Sequence, residues 1–106
     1  MDTNYSANQE LLIFNNLLVN VLYRYSIGIE TAGTSGSVKI LNNSFLNWQY
    51  GVFMGYNQTI TIKNNLFADP IDFGSPYAVS RYMGVATSVY NNAYYYPNEI
   101  NVPADV

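Results

Sequence analysis

The chain of 106 residues contains neither cysteine nor histidine. Without cysteine there is no disulfide framework and no thiolate metal site. Without histidine, Ser-His and Cys-His nucleophilic machinery, imidazole zinc sites and the usual neutral-pH proton shuttle are excluded. Charge is scarce as well: four basic and seven acidic residues make up 10% of the chain and leave a net charge of −3. Phosphate recognition is built from clustered Lys and Arg, so four scattered cations argue against a nucleic-acid partner. No apolar run approaches the roughly 20 residues that a membrane-spanning helix requires, so no membrane insertion is expected. No basic n-region precedes an apolar stretch and a cleavage site, so the chain is expected to carry no export signal of its own. Surface helix formers such as Glu, Lys, Gln and Arg are few, which disfavours a helical protein.

What is present is apolar, aromatic and rich in asparagine. Hydrophobic residues make up 49%, with eleven Tyr and fifteen Asn. A disordered chain carries far less apolar side chain. Asn is poor inside strands and helices but tolerates the left-handed backbone region better than any residue except Gly. Many Asn among β-branched and aromatic residues therefore point to short strands separated by tight corners. An Asn/Tyr-rich segment without a fold would show no regular placement of its Asn.

The placement is regular. Four windows align without gaps on the pairs Asn15-Asn16, Asn42-Asn43, Asn64-Asn65 and Asn91-Asn92, which are separated by 27, 22 and 27 residues. Periods of 20 to 50 residues mark solenoids, propellers or arrays. Two residues before each first Asn stand Ile13, Ile40, Ile62 and Val89, and two earlier Leu11, Val38, Ile60 and Thr87. Three after it come Leu18, Phe45, Phe67 and Tyr94, whereas Leu12, Lys39, Thr61 and Ser88 share no chemistry. Fixed alternate positions with free ones between are the period-2 signature of a strand with one buried face. The apolar phase shifts across the Asn pair, as a corner between two short strands requires.

A third strand follows in at least two units, at Gly28-Ile29-Glu30 and Gly51-Val52-Phe53-Met54. Three strands and three corners in about 22 residues make one coil of a right-handed parallel β-helix. The I-x-N-N-x-F pattern resembles the repeats of pectate-lyase-like right-handed β-helix proteins, a set of polysaccharide lyases and phage or surface adhesins. The resemblance covers residues 11–96. It implies an all-β solenoid of about four coils, preceded by a polar lead-in over 1–10 and followed by a tail over 97–106. An irregular loop insertion is expected at about 69–85, where Pro70, Gly74, Pro76 and Gly84 break strands. Coils rising about 4.8 Å would stack equivalent residues. One Asn of each pair, taken as Asn15, Asn42, Asn64 and Asn91, is expected both to turn the chain in the left-handed region and to form an amide ladder.

Three functions follow as expectations. By the resemblance, a lyase would use a cationic base beside a sheet and acidic residues holding calcium. The candidates are Arg24 and Arg81 for catalysis and Glu30, Asp69 and Asp72 for calcium, although Asp69 aligns with the corner residues Asn20 and Asn47. A complete constellation is absent, so catalysis by this segment alone is not the expectation. A binding role rests on Tyr23, Tyr25, Trp48 and Tyr50, which fall on the same corner of adjacent coils and suit sugar rings with apolar faces and polar edges. The partner would be a polysaccharide or other glycan, and the setting extracellular or cell-surface. A structural role comes third. Neither the lead-in nor the tail looks sufficient to cap a solenoid, so the chain is expected to be a piece of a longer β-helix. The alternative is ends covered by other subunits, a homo-oligomer or filament.

Overall fold

The structure, a computed structural model, describes residues 2–3, 10–21, 26–31, 36–54, 59–70, 76–81 and 87–95, with the backbone alone at 2, 3, 81 and 87. Among these residues there are twelve strands and no helix. In chain order they are β1 (Asp2–Thr3), β2 (Glu10–Phe14), β3 (Leu17–Val19), β4 (Ile27–Thr31), β5 (Ser37–Leu41) and β6 (Ser44–Leu46). There follow β7 (Tyr50–Met54), β8 (Thr59–Lys63), β9 (Leu66–Ala68), β10 (Tyr77–Arg81), β11 (Thr87–Tyr90) and β12 (Ala93–Tyr95). They form three four-stranded sheets: β1-β4-β7-β10, β2-β5-β8-β11 and β3-β6-β9-β12. Every pairing is parallel, and each strand from β1 to β9 pairs with the strand three elements further on.

The registers reproduce the columns of the sequence. Ile13, Ile40, Ile62 and Val89 are successive partners, as are Leu11, Val38, Ile60 and Thr87. Leu18, Phe45, Phe67 and Tyr94 align in the third sheet. Their rings stack there: Phe45 on Phe67 at 4.8 Å between centroids, and Phe67 on Tyr94 at 5.5 Å, with planes within 9° and 8°. One core draws on all three sheets, including Ile40 and Ile62 from the second, Phe45 and Phe67 from the third, and Ile29, Val52 and Val79 from the first. Burying each such side chain contributes roughly 1.5–3 kcal/mol relative to leaving it exposed.

Two expectations about boundaries change. The stretch 69–85, expected as a loop, contains β10, which pairs with β7 through Tyr77↔Tyr50 and Val79↔Val52. Pro76 stands just before this strand, where the missing N–H costs no ladder bond. The lead-in over 1–10 contributes a short strand as well, since Asp2 and Thr3 pair with Glu30 and Thr31. The tail over 97–106 lies outside the described residues.

The two asparagines of each pair divide the work expected of one. The first, Asn15, Asn42, Asn64 and Asn91, takes positive φ at 58°, 56°, 58° and 55° and is exposed. The second is the ladder. Asn16 Nδ2 donates to Asn43 Oδ1 at 3.1 Å, Asn43 Nδ2 to Asn65 Oδ1 at 3.2 Å, and Asn65 Nδ2 to Asn92 Oδ1 at 3.0 Å. The ladder is thus corrected to Asn16, Asn43, Asn65 and Asn92. Side-chain parity gives the reason: the second Asn lies two residues before the buried column of Leu18 and Phe45, so its amide points inward.

The exposed first position supplies a test of that division. Asn42→Gly is expected to leave stability within about 0.5 kcal/mol of the parent, because Gly adopts positive φ freely. Asn42→Ala should lose about 1–2 kcal/mol through the left-handed backbone alone. Urea midpoints of the pair check this; equal losses for Gly and Ala would mean that the amide, not the φ angle, matters here.

Candidate functional site

The corner after the third sheet was the expected binding locus, and the structure redistributes its residues. Trp48 packs against the core, and its indole N–H donates to the Leu18 carbonyl at 2.9 Å. That bond spans 30 residues and ties one repeat to the next, so the half-buried Trp48 is anchored to the scaffold. Beneath it Asn20 Nδ2 donates to the Asn47 carbonyl at 2.9 Å and to Ser26 Oγ at 3.2 Å, and the Gln49 N–H donates to Ser26 Oγ at 3.1 Å. The bonds from Asn20 to the Asn47 carbonyl and from Gln49 to Ser26 cross from one repeat to the next, giving these buried groups partners. Tyr23, Arg24 and Tyr25 lie outside the described residues.

Tyr50 opens β7 and is half-buried. Its ring stacks on that of its register partner Tyr77, with centroids 6.2 Å apart and planes within 6°. Phe53 meets Tyr50 edge-on at 5.8 Å. Residues three apart fall on opposite faces of a regular strand, but here Gly51 and Val52 are both buried in succession, and the ring contact sets Tyr50 beside Phe53 while Met54 is buried as well. Phe53 is flanked in register by Glu30 on β4 and Ser80 on β10, both half-buried. The first sheet therefore presents a strip of three partly exposed rings, with a carboxylate on one side and a hydroxyl on the other.

Sequence reasoning had only Tyr50 and Glu30 from this strip. By sequence Phe53 is expected as a strand residue and Tyr77 as part of a loop. The signal was available, because Tyr77-Ala78-Val79 repeats Tyr50-Gly51-Val52 after 27 residues, the spacing of two of the three Asn intervals.

The lyase candidates are dispersed. Asp69 is an exposed corner residue with φ 48°, equivalent to Asn47 with φ 64°, and its N–H donates to the Tyr95 carbonyl at 3.1 Å. Glu30 lies on β4, two strands across the first sheet from β10, the strand that follows Asp69. Asp72 lies outside the described residues, as does the Arg81 side chain, whose backbone pairs with Met54. Among the described residues no three acidic side chains gather to hold a cation. Lys39 is engaged with Glu10, Nζ to Oε2 at 3.4 Å, and Lys63 lies over the Tyr90 ring at 5.2 Å.

A cleft of about 150 Å³ is lined by Phe45, Trp48, Gly51, Phe67 and Ala68. Pockets that enclose small molecules start near ~300 Å³. This cleft is too small for that purpose. No family model, curated protein or solved structure matches the chain.

Proposed function

We propose that the chain forms a right-handed parallel β-helical stretch in an extracellular or cell-surface carbohydrate-associated protein, acting as a rigid scaffold that contacts a glycan without catalysing its cleavage. Support for the helical path comes from the constant pairing of every third strand and from the right-handedness of nearly all parallel crossovers. The kinship with pectate-lyase-like repeats and the extracellular setting rest on the I-x-N-N-x-F pattern.

The observation that carries the glycan contact is the strip of Tyr50, Phe53 and Tyr77 on the first sheet. Its rings offer apolar surface to the C–H faces of a sugar, and Glu30 and Ser80 supply acceptors for hydroxyls. Tyr77 stands 6.2 Å and Phe53 5.8 Å from Tyr50, so the strip is a row suited to an extended chain and not a socket for one sugar. The net charge of −3 favours a neutral glycan over an acidic one.

Affinity electrophoresis through gels containing a neutral β-glucan, and through gels containing pectate, tests this reading. The double variant Tyr50→Ala, Tyr77→Ala should lose roughly tenfold in retention by the neutral polymer, the effect of about 1.4 kcal/mol of ring contact. Trp48→Ala should instead lower the melting temperature. Unchanged retention in the folded double variant, or no retention of the parent by either polymer, would remove the glycan contact.

A further inference from the structure

We infer that the two ends of the strand stack are complementary binding surfaces for one another, so that copies of this chain join head to tail into a rod. The inference rests on the β-helical reading above and goes beyond it by naming the occupant of the ends as a second copy.

The first ground is the phase of the three sheets. The first sheet runs from β1 to β10, the second from β2 to β11 and the third from β3 to β12. At one end β1 stands a step beyond β2 and β3; at the other, β11 and β12 stand a step beyond β10. A second copy brought up along the stack would pair β10 with β1, β11 with β2 and β12 with β3. All three sheets would continue in parallel, and unpaired strand edges would be covered.

The second ground is the polarity of the asparagine ladder. Each interior rung sends both its backbone N–H and its Nδ2 to the Oδ1 of the next Asn, as Asn43 does to Asn65 at 2.8 and 3.2 Å. The ladder therefore has a donor end and an acceptor end. Asn16 Oδ1 accepts no bond from a described residue, and the Asn92 N–H has no described acceptor. Asn92 of one copy on Asn16 of the next would reproduce an interior rung. Two like ends could not do this.

The third ground is where apolar surface is left uncovered. Every large apolar strand residue that stands exposed among those described lies in a terminal repeat: Leu12, Phe14, Leu17 and Val19 on β2 and β3, and Tyr90 and Tyr95 on β11 and β12. The described residues of the middle repeats include none. Continued register would set Phe14 beside Tyr90 and Val19 beside Tyr95, with no like charges opposed across the junction. Such a contact is heterologous and does not close on itself, so it propagates.

Sedimentation velocity on the full chain and two end variants tests this. The wild type should grow into a ladder of multiples of the chain mass as concentration rises. Leu17→Lys blocks one end and Tyr95→Lys the other, both at exposed positions that leave the core untouched. Each variant alone should stay at the mass of one chain, and their equimolar mixture should give a species of twice that mass and nothing larger. A wild type that stays monomeric yet melts cooperatively overturns the inference: the ends then do not bind one another, and the β-helical reading stands. Dimers of either single variant overturn it too, since they mean contact between like ends. A wild type with no cooperative melt removes both this inference and the fold reading beneath it.

Discussion

Asn65→Ala is expected to lower the stability of the fold by about 2–6 kcal/mol, much of the whole margin of a typical small domain. Asn65 is 2% exposed and lies at the centre of the ladder. Its Oδ1 accepts from the Asn43 N–H at 2.8 Å, and its Nδ2 donates to the Ile40 carbonyl at 2.9 Å and to Asn92 Oδ1. Alanine leaves the buried Asn43 N–H and the Ile40 carbonyl without these partners. Each orphaned buried group costs about 1–3 kcal/mol, beyond the small net value of the bond itself. Denaturant unfolding should show the midpoint displaced with an unchanged slope, the mark of lost stability without a changed unfolded state. A loss under about 1 kcal/mol, no larger than that expected at the Asn42 corner, would mean that the ladder decorates the stack and does not hold it.

The two columns of asparagine also show how far the sequence could be read. Strand positions, parallel stacking and the buried columns were legible because burial of one face imposes a period of two, and a repeat imposes it four times over. Which Asn turned the chain and which bonded its neighbours was not separated, since both columns are invariant. The information was nevertheless present in the phase. Asn16 lies two before Leu18 and Asn43 two before Phe45, so the second of each pair must share the inward direction. Trp48 was harder. The chain has a single Trp, so no column could show whether its ring faced core or solvent, and only the bond to Leu18 decides it. β10 was hidden for a different reason: Pro70, Gly74 and Pro76 describe the route between strands, and their breaking tendency was extended over the five strand residues that follow. The strip of Tyr50, Phe53 and Tyr77 depended on that strand and so stayed out of view.

Gly51→Ala makes a prediction opposite in sign to strand propensity. Gly inside a strand ordinarily lowers stability relative to Ala by roughly 0.5–1 kcal/mol, so the substitution would be stabilising on backbone grounds alone. Packing argues the reverse. A Cβ at Gly51 would lie 2.6 Å from both Cδ1 and Cε1 of Phe67 and 2.7 Å from the carbonyl oxygen of Ala78. Gly28, one strand earlier, is in the same position toward Phe45 Cδ1 at 3.0 Å and the Gly51 carbonyl at 2.7 Å. The stacked rings of the third sheet thus reach the backbone of the first, and glycine leaves the space they fill. Neither contact can yield cheaply, because Phe67 is held between Phe45 and Tyr94 and the Ala78 carbonyl belongs to the paired strand β10. Overpacking of this kind costs about 1–3 kcal/mol, which for a chain of this size lowers the melting temperature by roughly 10 °C. Adding Phe67→Leu removes the ring contact but not the carbonyl contact, so the double variant should recover part of the loss relative to the sum of the single ones. Melting curves of the four proteins measure that coupling directly, and a Gly51→Ala variant that melts at or above the parent would show that the rings do not reach the first sheet as described.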